Sequence, residues 1–309
     1  MRKKQTEQVI LCVDTGIDDA VAMLMAVSYP QIQVQLICCG YGNTSAEVTT
    51  NNTLKILEFI GKGNIPVAKG VNEGFRKTRK TLHVHGATGL GDYDFEDPTI
   101  QAEDNAVESM YQRLVRCKEP LTIISTGPLT NVAILFEQHP DIVSKIKRVV
   151  FMGGSDVEND VEDPYLEFNE STDPEAAEYV YTVCEKENIP LHLVPCNMGH
   201  TAYLDYYDVY KTKTMNYVGE MLEIVFRSYK DRTVKNGIAT HDGCAIAYVL
   251  QPKMFETKQG YVKIKYFSKY GTGVSITNFH SKTKNATICT SINTKMFKNL
   301  YFNTLKKFN

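Results

Sequence analysis

Short apolar segments that alternate with segments of helical periodicity constrain the fold of this chain most. The apolar runs begin at Val9 (VILCV), Val34 (VQLICC), Leu121 (LTIIS), Arg148 (RVVFM) and Leu191 (LHLVP), and helical patterns lie between them. Runs that are apolar throughout belong to strands buried on both faces, which is typical of parallel sheets covered by helices. The sequence therefore predicts an α/β fold with a single open, mostly parallel sheet flanked by helices, a Rossmann-like core.

The C-terminal part of the chain carries a different pattern. The segments YVKIKYF from Tyr261, GVSITNF from Gly273 and ATICTSI from Ala286 are separated only by turns. They predict a small antiparallel addition near the C-terminus, followed by a C-terminal helix. Along the 309 residues there is no internal repeat, low-complexity segment or linker-like change of composition. We therefore expect one domain over residues 1–309.

The composition argues against several classes of partner. A formal net charge of -2 gives no field that would attract nucleic acid or an acidic membrane. No segment approaches the about 20 apolar residues of a membrane helix, and the apolar run after the basic start is too short for a signal peptide. The eight cysteines include no C-x-x-C pair, so we expect free buried thiols. A cytoplasmic protein without nucleic-acid or membrane partners is the expectation.

Three aspartates stand where the first apolar run meets the first helical pattern. Ligands of open α/β sheets bind beyond the carboxyl ends of the strands, and Asp14, Asp18 and Asp19 follow VILCV directly. A helix cap accounts for Asp18 or Asp19. It does not account for Asp14, which adds a third negative charge to the same turn. Repulsion among the three is costly unless a cation or a partner neutralises it, and oxygen ligands without nearby His or Cys favour calcium or magnesium over zinc.

The ordered motifs of the chain resemble those of a known family. VDTGIDDAVAML, from Val13, is similar to the D-x-D-P-G-x-D-D-A opening of the inosine-uridine-preferring nucleoside hydrolases. The segments that look like its later motifs are GYGNTS from Gly40, HVHGATGLG from His83, STGPLTN from Ser125, FMGG from Phe151, LEFNESTDPEAA from Leu166 and THDGCAIAYVLQP from Thr240. They keep the order and approximate spacing of that family from residue 9 to residue 252.

The resemblance implies a calcium-dependent enzyme of nucleoside salvage that hydrolyses the N-glycosidic bond of ribonucleosides to ribose and free base. It implies that calcium is bound by the carboxylates of Asp14, Asp19 and Asp242 and by the backbone carbonyl of Thr126. Asp14 would also accept the proton of the attacking water as general base, and Asp18 would hold a ribose hydroxyl. A homodimer or homotetramer is expected on the same ground.

The resemblance also implies the residues that contact the substrate. They are Asn43, Glu167 and Asn169 at the ribose, Met152 along the pocket, and His85 and Tyr229 near the base. His241 would protonate the departing base, which leaves more readily as a neutral group; on its own it is also compatible with a buried structural histidine. The preferred base is not readable, although the absence of tryptophan argues against members that stack purines between tryptophans.

The chain departs from the family pattern at supporting positions. Cys12 replaces the first aspartate of the opening motif, Thr15 replaces its proline, and Gly243 replaces the proline of H-D-P. The segment before E-F-N is slightly longer, which leaves Asn159 or Asp160 as the contact to the ribose 5′-hydroxyl. Loss of the first aspartate is expected to weaken calcium binding or to shift the pKa of Asp14.

Two other interpretations stay open. A non-catalytic protein of the same fold would keep ribose binding after the altered supporting residues had abolished the reaction. A magnesium-dependent phosphohydrolase with Asp14 as nucleophile is weaker, because it leaves Asp242 and Asn169 unexplained and lacks a phosphate-binding lysine in the expected setting. Asp173 and Pro174 predict a helix start and no catalytic role.

Overall fold

The computed structural model describes residues 6–76, 88–156, 166–229, 237–267 and 272–309. The strands in these ranges are β1 Glu7–Val13, β2 Ile32–Cys39, β3 Val67–Lys69, β4 Leu121–Ser125, β5 Ile146–Met152, β6 Leu191–Val194, β7 Leu204–Asp205, β8 Gly237–Ile238, β9 Phe255–Phe267, β10 Thr272–Asn278 and β11 Ala286–Ile292. Nine of them form one sheet in the order β10-β9-β11-β6-β5-β4-β1-β2-β3, and β7 pairs with β8 in a separate antiparallel ribbon.

The predicted α/β class is confirmed, with antiparallel strands near the C-terminus. The sheet is parallel from β3 through β6 to β11, whereas β9 runs antiparallel to both β11 and β10. The antiparallel strands continue the edge of the main sheet and share its core. All five residues of β4 are buried, as expected for a central parallel strand that is covered on both faces.

The helices lie on both faces of the sheet. Their bounds are α1 Ile17–Ser28, α2 Ala46–Phe59, α3 Ala106–Arg116, α4 Thr130–Gln138, α5 Phe168–Thr172, α6 Pro174–Lys186, α7 Asn197–Thr201, α8 Tyr206–Lys213, α9 Tyr217–Arg227, α10 His241–Leu250 and α11 Thr294–Leu305. One apolar cluster packs α1, α2, α9, α10 and α11 on one face, and a second packs α3, α4 and α6 on the other. The predicted start of α6 is confirmed, because the Asp173 carboxylate accepts a hydrogen bond from the Ala176 N–H at 3.2 Å.

The eight cysteines are free thiols, and seven of them are buried, which confirms the expectation from their spacing. Among the described helices, none is long and apolar enough to cross a membrane. The carboxyl ends of β1, β2, β4 and β5 lie side by side in the sheet order. The loops that follow these strands therefore meet at one edge, as the strand-end rule predicts.

Candidate active site

Asp14 lies at the carboxyl end of β1, in a narrow space between two neighbouring turns. One carboxylate oxygen accepts a hydrogen bond from the backbone N–H of Asn43 at 2.8 Å. A side chain at either Gly42 or Gly127 would collide with this carboxylate. Both turns therefore depend on glycine to approach Asp14, which is only 1% exposed.

Asp18 and Asp19 in the first turn of α1 meet Asp242 in the first turn of α10. One oxygen from each carboxylate lies within 4.8 Å of the other two. Asp19 accepts a hydrogen bond from the Gly16 N–H at 2.8 Å, so the helix-cap interpretation is correct for this residue. Its other oxygen accepts a bond from the Thr126 hydroxyl at 2.8 Å. Capping thus fixes the orientation of Asp19 within the carboxylate cluster.

The buried carboxylates raise one another's pKa. Burial raises the pKa of Asp14 and of Asp242 well above the ordinary value, and repulsion from the neighbouring aspartates raises both further. Burial, followed by the charge of Asp18, raises the pKa of Asp19 to about 7. None of the ion pairs within the described residues involves these carboxylates. Four acidic groups are therefore concentrated without a compensating side-chain cation in that part of the chain.

This donor set fits a hard divalent cation. Its ligand atoms are carboxylate oxygens, which calcium and magnesium prefer, and a cation would relieve the repulsion that raises the pKa values. The three carboxylates that meet most closely are Asp18, Asp19 and Asp242. The resemblance instead implies Asp14 in place of Asp18, and Asp14 is close enough to raise the pKa of Asp242.

Asn169 in α5 and Glu167, the N-cap residue of that helix, lie next to this cluster. The Glu167 carboxylate accepts hydrogen bonds from the backbone N–H groups of Asn169 at 3.0 Å and Glu170 at 2.8 Å. Burial, and then the adjacent Glu170, raises the pKa of Glu167 to about 8. The Asn169 amide donates to the carbonyl oxygens of Thr126 at 2.7 Å and Met152 at 3.0 Å. These bonds tie α5 to the carboxyl ends of β4 and β5.

His241 begins α10 directly beside Asp242. Its Nδ1 lies 3.0 Å from the carbonyl oxygen of Cys196, and a carbonyl only accepts, so we assign the proton of this bond to Nδ1. The ring of His200 packs against the His241 ring edge to face at 4.8 Å. A side chain at Gly199 would collide with the His241 ring. Helix α7 therefore holds the orientation of this histidine.

The remaining residues that the sequence predicts at the site are Asn43, Tyr229, His85, Asn159 and Asp160. Asn43 donates its side-chain amide to the Asp14 carbonyl at 3.2 Å and to the Asp19 carboxylate at 3.4 Å. Tyr229 follows α9 and is partly buried against the core. His85, Asn159 and Asp160 lie outside the described residues.

Packing explains one departure from the family pattern, Cys12, and gives no reason for another, Gly243. The Cys12 thiol lies 3.9 Å from the Met110 sulfur in an apolar cluster, so a thiol suits that environment better than a carboxylate. A side chain at Gly243 would meet its nearest neighbours, on Val21 and Thr240, at ordinary contact distances of 3.4 and 3.5 Å. The α10 start therefore does not depend on glycine.

Sequence reasoning missed three residues that shape the site: His200, Glu170 and Asn52. Asn52 and Thr49 belong to a polar buried stripe on α2 with a spacing of one helical turn. Such a stripe is unusual for a helix face that packs on a core, and it is the signal that could have identified Asn52. Nothing in the local sequence pairs His200 with His241.

Known proteins match this chain over nearly its whole length. The inosine-uridine preferring nucleoside hydrolase family matches residues 9–299. The pyrimidine-specific ribonucleoside hydrolase RihA of Escherichia coli O81 is 33% identical, over 96% of this chain and 98% of its own. The non-specific ribonucleoside hydrolase RihC of Salmonella paratyphi A is 34% identical, over 89% of each chain.

Solved structures share the fold. A plant nucleoside hydrolase, the PpNRh1 enzyme, superimposes with a TM-score of 0.84 at 26% identity, over 97% of this chain and 99% of its own. An inosine-guanosine nucleoside hydrolase superimposes with a TM-score of 0.88 at 21% identity, over 97% of this chain and 99% of its own. This chain therefore belongs to the inosine-uridine preferring nucleoside hydrolase family and is an enzyme of that family.

Proposed function

We propose that this enzyme hydrolyses the N-glycosidic bond of ribonucleosides with calcium as its cofactor, releasing ribose and free base for nucleoside salvage. The observation that carries the proposal is the cluster of buried aspartates at the carboxyl ends of the strands, in a chain that belongs to this family. The family relatives quoted above act on ribonucleosides according to their names.

Asp14, Asp19 and Asp242, with the Thr126 carbonyl, are the proposed calcium ligands. Asp18 belongs to the same cluster and is proposed to hold a ribose hydroxyl. When bound, calcium would supply the positive charge that draws ribose hydroxyls and a water molecule into the site. The residues of the chain orient the sugar, accept the proton of the water and donate one to the base.

Asp14 is the proposed general base. Its carboxylate is fixed by the Asn43 N–H and by the close approach of two glycine turns, so it can accept the proton of the attacking water with little reorganisation. Glu167, Asn169 and Asn43 are proposed to bind the ribose, where their oxygen atoms can stabilise the positive charge that develops on the sugar. Met152 would line the pocket on that side.

His241 is the proposed acid for the departing base. Because Nδ1–H is committed to the Cys196 carbonyl, the proton that is transferred must come from Nε2, which carries one only in the charged ring. His85 and Tyr229 are proposed to lie at the base. We also infer a single domain over residues 1–309, a homodimer or homotetramer, and a cytoplasmic location.

The test is ribose release from inosine, uridine, cytidine and adenosine, measured with added calcium and with a chelator. Calcium-dependent release from at least one of them is the expected result, and the order of the four rates would define the base preference. No release, in a protein that still binds calcium and ribose, would refute the proposed reaction and support a ribose-binding protein instead.

A further inference from the structure

Asn52 on α2 connects two separate turns, one of which carries the proposed general base. Its side-chain amide donates one hydrogen bond to the Thr15 carbonyl at 3.2 Å and another to the Thr88 carbonyl at 2.9 Å. Asn52 is only 4% exposed. Both amide hydrogens are therefore used inside the protein, and each fixes the backbone of a different turn.

The first of these turns carries the proposed general base. Thr15 follows Asp14 directly and precedes Gly16, whose N–H orients Asp19. The Thr15 hydroxyl forms a further bond with the Thr53 hydroxyl at 2.6 Å. Helix α2 thus supports the β1–α1 turn through two successive residues, Asn52 and Thr53. Of these two, Asn52 also donates a hydrogen bond to the second turn.

The second turn, Thr88–Gly91, packs between Asn52 and the end of α9. Gly89 has a φ of +77° and approaches the Asn52 amide so closely that a Cβ there would lie 2.8 Å from its nitrogen. Gly91, with a φ of +63°, approaches Ser228 in the same way. Ser228 immediately precedes Tyr229, which we place at the base. The turn therefore links Asn52 to the side of the site that faces the base.

We propose that Asn52 is a positioning residue that fixes the distance between the turn carrying Asp14 and the turn Thr88–Gly91. It thereby holds the sugar side of the site in register with the base side. This inference deepens the proposed function and rests on it for its kinetic consequence. Free ribose contacts only the sugar side, whereas a nucleoside needs both sides at the correct separation.

The test compares Asn52→Ala with Leu54→Ala. Leu54 lies on the same helix and is buried in the core, so its truncation weakens the packing of α2 while both hydrogen bonds from Asn52 to the two turns are kept. In Asn52→Ala we expect kcat/KM for a nucleoside to fall by about tenfold or more, while the inhibition constant of free ribose and the Kd of calcium stay within about threefold. In Leu54→Ala we expect a lower Tm with kcat/KM within about threefold of the wild type.

Hydrogen exchange of the free protein supplies a readout that does not depend on activity. We expect faster exchange in peptides covering Val13–Gly16 and Thr88–Gly91 in Asn52→Ala but not in Leu54→Ala. Equal exchange in the two variants, or ribose and calcium binding that weakens together with kcat/KM, would overturn the role of Asn52. A wild-type enzyme that releases no ribose would instead refute the proposed function, and the exchange comparison would still decide whether Asn52 joins the two turns.

Discussion

Replacing one carboxylate of the cluster should stabilise the metal-free protein while removing its response to calcium. We choose Asp242→Asn, which keeps the shape of the side chain and removes its charge. In the metal-free protein, Asp242 stands within 4.8 Å of the oxygens of Asp18 and Asp19. With an effective dielectric constant of about 20, two unit charges at this separation repel by about 3 kcal/mol.

This repulsion converts into a measurable shift of Tm. With an unfolding entropy of about 2 cal/mol/K per residue, the 309 residues give a rise of about 5 °C for about 3 kcal/mol. The raised pKa values of Asp19 and Asp242 reduce their charge at neutral pH and therefore reduce this shift. The shift should therefore grow as the pH rises and the cluster ionises.

The assay is thermal unfolding at about pH 8, with a chelator and with excess calcium. The wild type should gain stability from calcium, and Asp242→Asn should be more stable than the wild type in chelator but gain little from calcium. A lower Tm for Asp242→Asn in chelator, or an undiminished response to calcium, would refute the account of the cluster.

Asp173→Asn is the matched control for this experiment. Asp173 is also buried, but its carboxylate accepts hydrogen bonds from the Phe75 N–H at 2.8 Å, the Thr130 hydroxyl at 2.6 Å and the Ala176 N–H at 3.2 Å. The side-chain amide of an asparagine at this position would place its own N–H group against one of these donors. We therefore expect Asp173→Asn to lower stability by about 1 kcal/mol or more, the opposite sign to Asp242→Asn.

Three further outcomes follow from the site and its supports. Asp14→Asn should reduce kcat by at least about a hundredfold without lowering the Tm of the metal-free protein, since general-base catalysis contributes about that much; near wild-type kcat would contradict the role of Asp14. The pKa of Glu167 is raised to about 8 in the folded protein, so the free energy of unfolding should fall as the pH rises from the unfolded-state pKa of this group towards 8, by about 1.4 kcal/mol per pH unit at most. Glu170→Gln should flatten this slope in a series of Tm measurements against pH, and an unchanged slope would show that the two carboxyl groups are not coupled. Cys12→Asp should cost about 3 kcal/mol, read as a lower denaturant midpoint, because it places an unpaired carboxylate in the apolar cluster beside Met110; an unchanged midpoint would indicate a polar partner at that position.

Local patterns in the sequence were sufficient for the fold class and for the first turn of the site. The runs VILCV and LTIIS predict buried parallel strands because a strand covered on both faces carries mainly apolar residues on each of them, and both runs are buried in the sheet. The position of Asp14 at the end of β1 follows from the same pattern. The family resemblance rested on ordered motifs, and the match over residues 9–299 confirms it.

Only the tertiary structure decided which distant groups meet. Asp242 joins Asp18 and Asp19 because α1 packs against α10 on one face of the sheet, and no local pattern records that packing. The pairing of His241 with α7 and the two hydrogen bonds of Asn52 likewise depend on the sheet order and on helix packing. Backbone conformation is set largely by neighbouring residues, so the sequence determines where strands end and helices begin, whereas contacts between elements depend on how the whole core is buried.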